Sequence, residues 1–297
     1  VLNILLNVIF PVFACVAIGY GWGRGSIAFN TEFVTRLVTN IAAPCLIVST
    51  INETRLQWGD FLMLAQLSLL VMAGFAALGW LVFRVLGLDF KPLSLAVVFP
   101  NTGNMGLSLC LFAFGEEGLA LGLIIFVVIS LVHFATGDLV FSTASSPLKK
   151  LLNLFRQPIF CASLVAILLV FSGLHLPTPV ALTVKLIGGI TIPLMLITLG
   201  VSLAALRGSD WQLGALITLL RVPGGLLVAG AVVLLLGVEG LVAKVLILQS
   251  AMPSAVFNYF FALKYQQRPE TVASGVVMST LLAFAILPLL LWLLMDV

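Results

Sequence analysis

Two polar runs interrupt otherwise apolar stretches of this chain. The first is Pro100-Asn101-Thr102-Gly103-Asn104-Met105-Gly106, inside an apolar segment from about residue 92 to 114. The second is Gln249-Ser250-Ala251-Met252-Pro253-Ser254, with Asn258 one turn on, inside a segment from about residue 241 to 264. Proline has no amide proton and its ring clashes with the preceding turn, so each run breaks a helix. Bare backbone groups at membrane depth are tolerated only where protein or a watery cavity satisfies them. The half-helix that restarts after each break presents free amides and a partial positive charge of about half a unit. Such an end favours an anion, a carboxylate in particular. Asparagine, serine and threonine add donors and acceptors without burying a full charge. The expected chemistry is binding of a small organic anion. Pro100 and Pro253 break the helices, and Asn101, Thr102, Asn104, Ser254 and Asn258 are the pocket residues.

Other polar residues fall within apolar segments and have two readings each. Arg221 sits about ten residues into its segment, where a charge is expensive and marks function by default. The alternative is an arginine bonded to backbone carbonyls beside the Pro223-Gly224-Gly225 run. His133 titrates near neutrality and could carry a coupling proton, or it is a packing residue. Asp138 falls near a segment end and reads as interfacial. Gln249 and Gln66 are candidates to support the pocket from behind. Gly188-Gly189 and Gly224-Gly225 read as sites of close helix packing. Cys15, Cys45, Cys110 and Cys161 lack metal-ligand spacing and read as buried small residues. No metal site, phosphate loop or nucleophile–base pair is recognisable, so neither an enzyme nor a resident cofactor is expected.

The elements that position these groups are membrane spans. Of 297 residues, 62% are hydrophobic and 8% charged, against about 25% charged in soluble domains. The partner of most of the surface is therefore lipid. A net charge of +3 without basic runs gives no reason to expect nucleic acid. No basic region precedes the first apolar run, which is not read as a cleaved signal peptide. Ten apolar segments run at roughly 2–21, 33–51, 60–86, 92–114, 118–141, 157–174, 179–206, 212–237, 241–264 and 271–295. Lysine and arginine mark cytoplasmic connections. With the N-terminus outside, the inner connections hold ten of these residues and the outer ones only Arg55, Lys185 and Lys244. Both termini are expected to face outward.

The two halves echo each other. Pro11-Val12-Phe13 recurs as Pro158-Ile159-Phe160, and Arg36-Leu37 with Pro44 recurs as Lys185-Leu186 with Pro193. Trp58 and Trp211, Pro100 and Pro253, Glu117 and Glu270, and Gly122 and Gly275 are each 153 positions apart. The expected domains are a first five-helix repeat at 1–141, a short cytoplasmic linker at 142–156 and a second repeat at 157–297. Five is odd, so the second repeat enters the membrane upside down. The fold class is an all-α integral membrane protein of ten transmembrane helices in two inverted repeats. Its fourth and ninth helices are broken near the midplane, as in transporters.

At these residues the sequence resembles the auxin efflux carrier family in its short prokaryotic form. Pro100 to Gly106 is similar to that family's fourth-helix motif. Ala251-Met252-Pro253 through Phe261-Ala262-Leu263-Lys264-Tyr265, then Pro269-Glu270, resembles its ninth-helix region, and Ile192 to Leu203 its seventh helix. The resemblance implies a secondary carrier whose broken helices cross at the two prolines, where carboxylates bind, with Asn101 as the crossover asparagine. It implies an elevator motion of helices three to five and eight to ten against a scaffold of helices one, two, six and seven. It also implies a homodimer through that scaffold. The long hydrophilic central loop of many plant members is missing. Asn104 stands where plant members usually have an apolar residue, and Asn258 where they have proline. Both departures make the pocket more polar and argue against auxin itself.

The resulting expectation is secondary active or facilitative transport of small organic anions, auxin-like or malonate-like carboxylates. The expected location is the cell membrane, the inner membrane of a bacterium. Protons, sodium and uniport all remain open as energy sources. The rival readings are a sodium-coupled symporter resembling the bile acid symporters, and a channel.

Overall fold

The computed structural model describes residues 2–25, 28–53, 58–141, 158–206 and 210–295. Within them the chain is helical, and its one β-feature is an isolated bridge between Pro100 and Ser254. The expected linker at 142–156 lies outside the described residues, as does the side chain of Asp138.

Helix α1 (Leu2–Arg24) ends on a basic residue, which complements the negative end of a helix. Helix α2 (Thr31–Glu53) starts at Asn30, whose side chain accepts from the Phe33 amide at 2.9 Å. Its first turn carries Glu32, paired with Arg36 at 2.6 Å. In its middle, Val38–Ala42 widens into a π-turn. Helix α3 (Trp58–Val85) follows. The fourth apolar segment is split into α4 (Ser94–Val98) and α5 (residues 102–114), the latter opening on the π-turn Thr102–Leu107. Gly115 then takes φ 68°, a conformation closed to most side chains, and turns the chain into α6 (residues 116–141).

Helix α7 (Pro158–Ser172) leads to α8 (Thr178–Gly188) and α9 (Thr191–Ala205). The seventh apolar segment is one helical stretch, Thr178–Ala205, as expected, with a turn at Gly189 and Ile190 that divides it into α8 and α9. Gly188 does serve close packing, since a Cβ there would crowd the Leu46 backbone of α2. Gly189 instead ends α8. Helix α10 (Trp211–Leu236) is capped by Asp210 at its start and by Gly237, at φ 62°, at its end. The ninth segment is split into α11 (Gly240–Ser250) and α12 (Val256–Lys264), and α13 (Pro269–Leu294) closes the chain.

Six helical stretches among the described residues are long and apolar enough to cross a bilayer: Thr31–Glu53, Phe61–Val85, Thr102–Gly137, Thr178–Ala205, Trp211–Leu236 and Pro269–Leu294. Leu234 and Leu235 of α10 are 83% and 84% exposed. Exposed apolar faces of this extent suit lipid rather than water. The protein is a multi-pass membrane protein.

Packing is tightest where glycine removes a side chain. Helix α1 lies along α9 with Gly19 facing Ile197 and Gly200 facing Val16, so close that a Cβ on either would strike the opposite backbone. Helix α10 lies along α13, with Gly214 against Ser274 and Gly275 against Ile217. The paired breaks lie inside the bundle: Phe99, Asn101, Met252, Ser254 and Asn258 are all buried.

Candidate functional site at the paired helix breaks

The two breaks answer each other's missing hydrogen bonds. Pro100 biases the residue before it toward extended backbone, and Phe99 indeed sits at φ −100°, ψ 110°. Ala255 is likewise extended, at φ −65°, ψ 140°. The Asn101 amide donates to the Pro253 carbonyl at 2.7 Å, and the Ala255 amide donates to the Phe99 carbonyl at 3.2 Å. This small antiparallel bridge pairs Pro100 with Ser254, 154 residues further along the chain. It satisfies groups that a bilayer interior could not.

Side chains complete the accounting. The Asn258 Nδ2 donates to the Phe99 carbonyl and to Ser254 Oγ, both at 2.9 Å. The Ser254 amide donates to Ser279 Oγ at 3.1 Å. Arg221 of α10 is fully buried and donates to four carbonyls: Val97 and Val98 at 2.9 Å, Ser250 at 2.6 Å and Met252 at 3.2 Å. Its guanidinium lies 3.5 Å from the centroid of the Phe75 ring.

A cavity of about 60 Å³ opens beside the first break. Pro100, Asn101, Thr102 and Asn104 form one wall. Ser130 and His133 of α6, Thr39 of the α2 π-turn, Met195 of α9 and Phe257 of α12 form the others. The Asn101 side chain is 96% withdrawn from solvent, at 4% exposure, and its Nδ2 has no partner. A second compartment of about 30 Å³ adjoins the first and shares Thr39, Asn104, Met195 and Phe257. Thr35, Thr198 and Ser202 add a hydroxyl stripe there, and Thr198 Oγ1 is buried without a partner.

The residues singled out from sequence therefore separate into groups. Pro100, Asn101, Thr102, Asn104 and His133 meet at the cavity. Pro253, Ser254 and Asn258 stand behind it, joined to it through the bridge. The His133 ring stacks on Phe99 at 4.1 Å and 10°, and tilts against Phe261 at 5.0 Å. Gln249 is buried below the second break, its Nε2 3.5 Å from the Gly122 carbonyl and its Oε1 pressed against Gly106. Gln66 is exposed on α3 and lines neither compartment. Thr39, Met195, Thr198 and Ser202 were not foreseen. Their signal was present: hydroxyls four apart at Thr35 and Thr39, and at Thr198 and Ser202, share one face of a helix.

A polar, donor-bearing cavity at paired helix breaks inside an apolar bundle is the construction of a membrane transporter. A family model described as membrane transport protein matches residues 4–150 and 142–293. The chain belongs to this membrane transport protein family, of the auxin efflux carrier type. It is 27% identical to an uncharacterized transporter of Methanocaldococcus jannaschii over 289 residues, covering 90% of this chain and 91% of that protein. It is also 27% identical to an uncharacterized transporter of Methanothermobacter thermautotrophicus over 269 residues, covering 88% of each.

Proposed function

We propose that this transporter carries small organic carboxylates by alternating access. The observation that carries the reading is Asn101, at the start of α5, which lines the cavity and holds a buried donor without a protein partner. Carboxylate oxygens accept such donors, and the unpaired amides of a helix start add a favourable field. The rest of the cavity holds neutral polar groups and apolar walls, which suits an organic anion better than a hydrated inorganic one.

The reading includes ten spans in two inverted repeats, with the bridge between Pro100 and Ser254 near the bilayer midplane. It includes an elevator motion in which α3 to α6 and α10 to α13 slide against α1, α2, α7, α8 and α9. The cavity lies between members of these two sets, with Asn101 and His133 on one side and Thr39 and Met195 on the other. The two compartments have room for few atoms, so a larger ligand requires the sets to part. A homodimer through the static set, both termini outside and the cytoplasmic membrane of a prokaryotic cell complete the proposal.

The test is a thermal-shift screen of purified protein with propionate, malonate and phenylacetate, at two pH values, with and without sodium. A ligand that binds only the native state raises its apparent stability. Uptake of the best acid into proteoliposomes follows, for wild type and Asn101→Ala. The expected result is saturable uptake by wild type and none by the variant. Equal uptake by a folded Asn101→Ala protein would remove the site assignment. Uptake that requires sodium, or rises with proton gradient, identifies the coupling ion.

A further inference from the structure

Arg221 is the only arginine, lysine, aspartate or glutamate among the described buried residues. A buried charge is normally paired, yet no carboxylate among the described residues answers this one. Its donors go to the carbonyls of Val97 and Val98, which end α4, to that of Ser250, the last residue of α11, and to that of Met252 just beyond it. These are the C-terminal ends of two half-helices, where orphan carbonyls collect and the helix field is negative. One planar guanidinium, with five donors in a fixed fork, thus closes both helices that lead into the bridge. The half-helices that lead out, α5 and α12, start on the far side of that bridge.

This arrangement has an electrostatic consequence. Without the guanidinium, the negative ends of α4 and α11 would stand beside the starts of α5 and α12 and weaken their field. With it, the crossing carries a net positive charge. Val98 and Asn101 are three residues apart, so the bonded carbonyl and the cavity wall lie within about 10 Å of each other.

We propose that Arg221 is a positioning and specificity-determining residue: it holds the two breaks in register, and its unmatched charge makes the cavity prefer a monoanion over its neutral isostere. At this range and a protein-like dielectric, the charge is worth about tenfold in affinity. The proposal rests on the carboxylate reading for its ligand and on the bridge geometry for its positioning role.

The two parts are tested together on the full chain in nanodiscs, with Arg221→Lys and Arg221→Met. One measurement compares binding of propionate with that of propionamide. The other follows hydrogen exchange at the Asn101 and Ala255 amides, the two bridge donors. In wild type, propionate is expected to bind more tightly than propionamide and both amides are expected to be protected. Arg221→Met is expected to lose about tenfold of the acid-over-amide preference and to lose protection at both amides. Arg221→Lys, which keeps the charge and not the fork, is expected to keep most of the preference while the amides exchange faster. Parallel loss of acid and amide binding in both variants would overturn the electrostatic role, because a merely structural residue acts on both ligands alike. Wild-type exchange rates in Arg221→Met would overturn the positioning role. Should Arg221→Met fail to fold, a folded Arg221→Lys protein without acid preference is sufficient to overturn the proposal. Wild type that binds neither ligand removes the carboxylate reading, and the exchange data still decide the positioning role.

Discussion

The two helix breaks use similar residues for different ends. Each has a proline, small polar side chains and a restarting half-helix. At the first, Asn101 lines a cavity and keeps its Nδ2 without a protein partner. At the second, Asn258 spends its Nδ2 twice, on the Phe99 carbonyl and on Ser254 Oγ. On the proposed reading, the first break receives the ligand and the second braces the crossing. The difference teaches that polarity at a break does not by itself define a binding group. What matters is whether the donor has a partner already, because only an unspent donor has something to offer a ligand.

That division can be broken from its framework side first. Gly225 of α10 lies against the Ser250 carbonyl at the end of α11 and against Phe75. A side chain there meets backbone, which cannot rotate away. Gly225→Val is expected to push α10 from the second break and to pull Arg221 off its acceptors. The loss should be about 3 kcal/mol of stability, seen as a lowered unfolding midpoint, with bridge amides exposed to exchange. A fully stable variant would show that α10 and α11 need not touch there.

A milder change separates bracing from receiving. Asn258→Ala leaves the Phe99 carbonyl with only the Ala255 amide and strands Ser254 Oγ in the interior. Removing one partner of buried polar groups costs about 2 kcal/mol. Unfolding measurements should show that loss, while ligand affinity per folded molecule changes less. The opposite outcome, intact stability with binding abolished, would move Asn258 into the receiving group.

Much of this was legible in the sequence, for a definite reason. Proline inside an apolar run leaves few options, so the breaks at Pro100 and Pro253 could be read directly. Their pairing could not. The Phe99 carbonyl and the Asn258 amide are 159 residues apart in sequence, and nothing local says which asparagine meets which carbonyl. For the same reason Arg221 had two equal readings until its four acceptors were seen. The far wall was missed because Thr39 and Thr198 lie in helices with no break to announce them. Hydroxyls within apolar helices usually bond their own backbone, as Ser68 does to Leu64, so the i, i+4 spacing of Thr35 with Thr39 and of Thr198 with Ser202 was a weak signal beside a proline break. Gly189 was read as a packing residue because the end of α8 leaves no proline signal at that position.

The receiving side is tested by two smaller substitutions, which should differ in a telling way from Asn258→Ala. Asn101→Ala removes a donor with no protein partner, while the Asn101 backbone amide keeps its bond to Pro253. Stability should stay within about 0.5 kcal/mol of wild type, and carboxylate affinity should fall at least about tenfold, the worth of a hydrogen bond to a charged acceptor. Thr198→Val removes a hydroxyl that is likewise buried and unspent. It keeps the shape of the side chain, so stability should be unchanged or slightly higher, because an unsatisfied polar group is replaced by an apolar one. Its effect on binding reads out how far the ligand reaches. A ligand confined to the larger compartment leaves Thr198→Val indistinguishable from wild type. A ligand that extends past Asn104 into the smaller compartment loses about threefold, less than Asn101→Ala because the hydroxyl meets no concentrated charge. Isothermal titration of both variants with propionate and with malonate separates these cases: only an acid that reaches Thr198 in the smaller compartment should notice the missing hydroxyl.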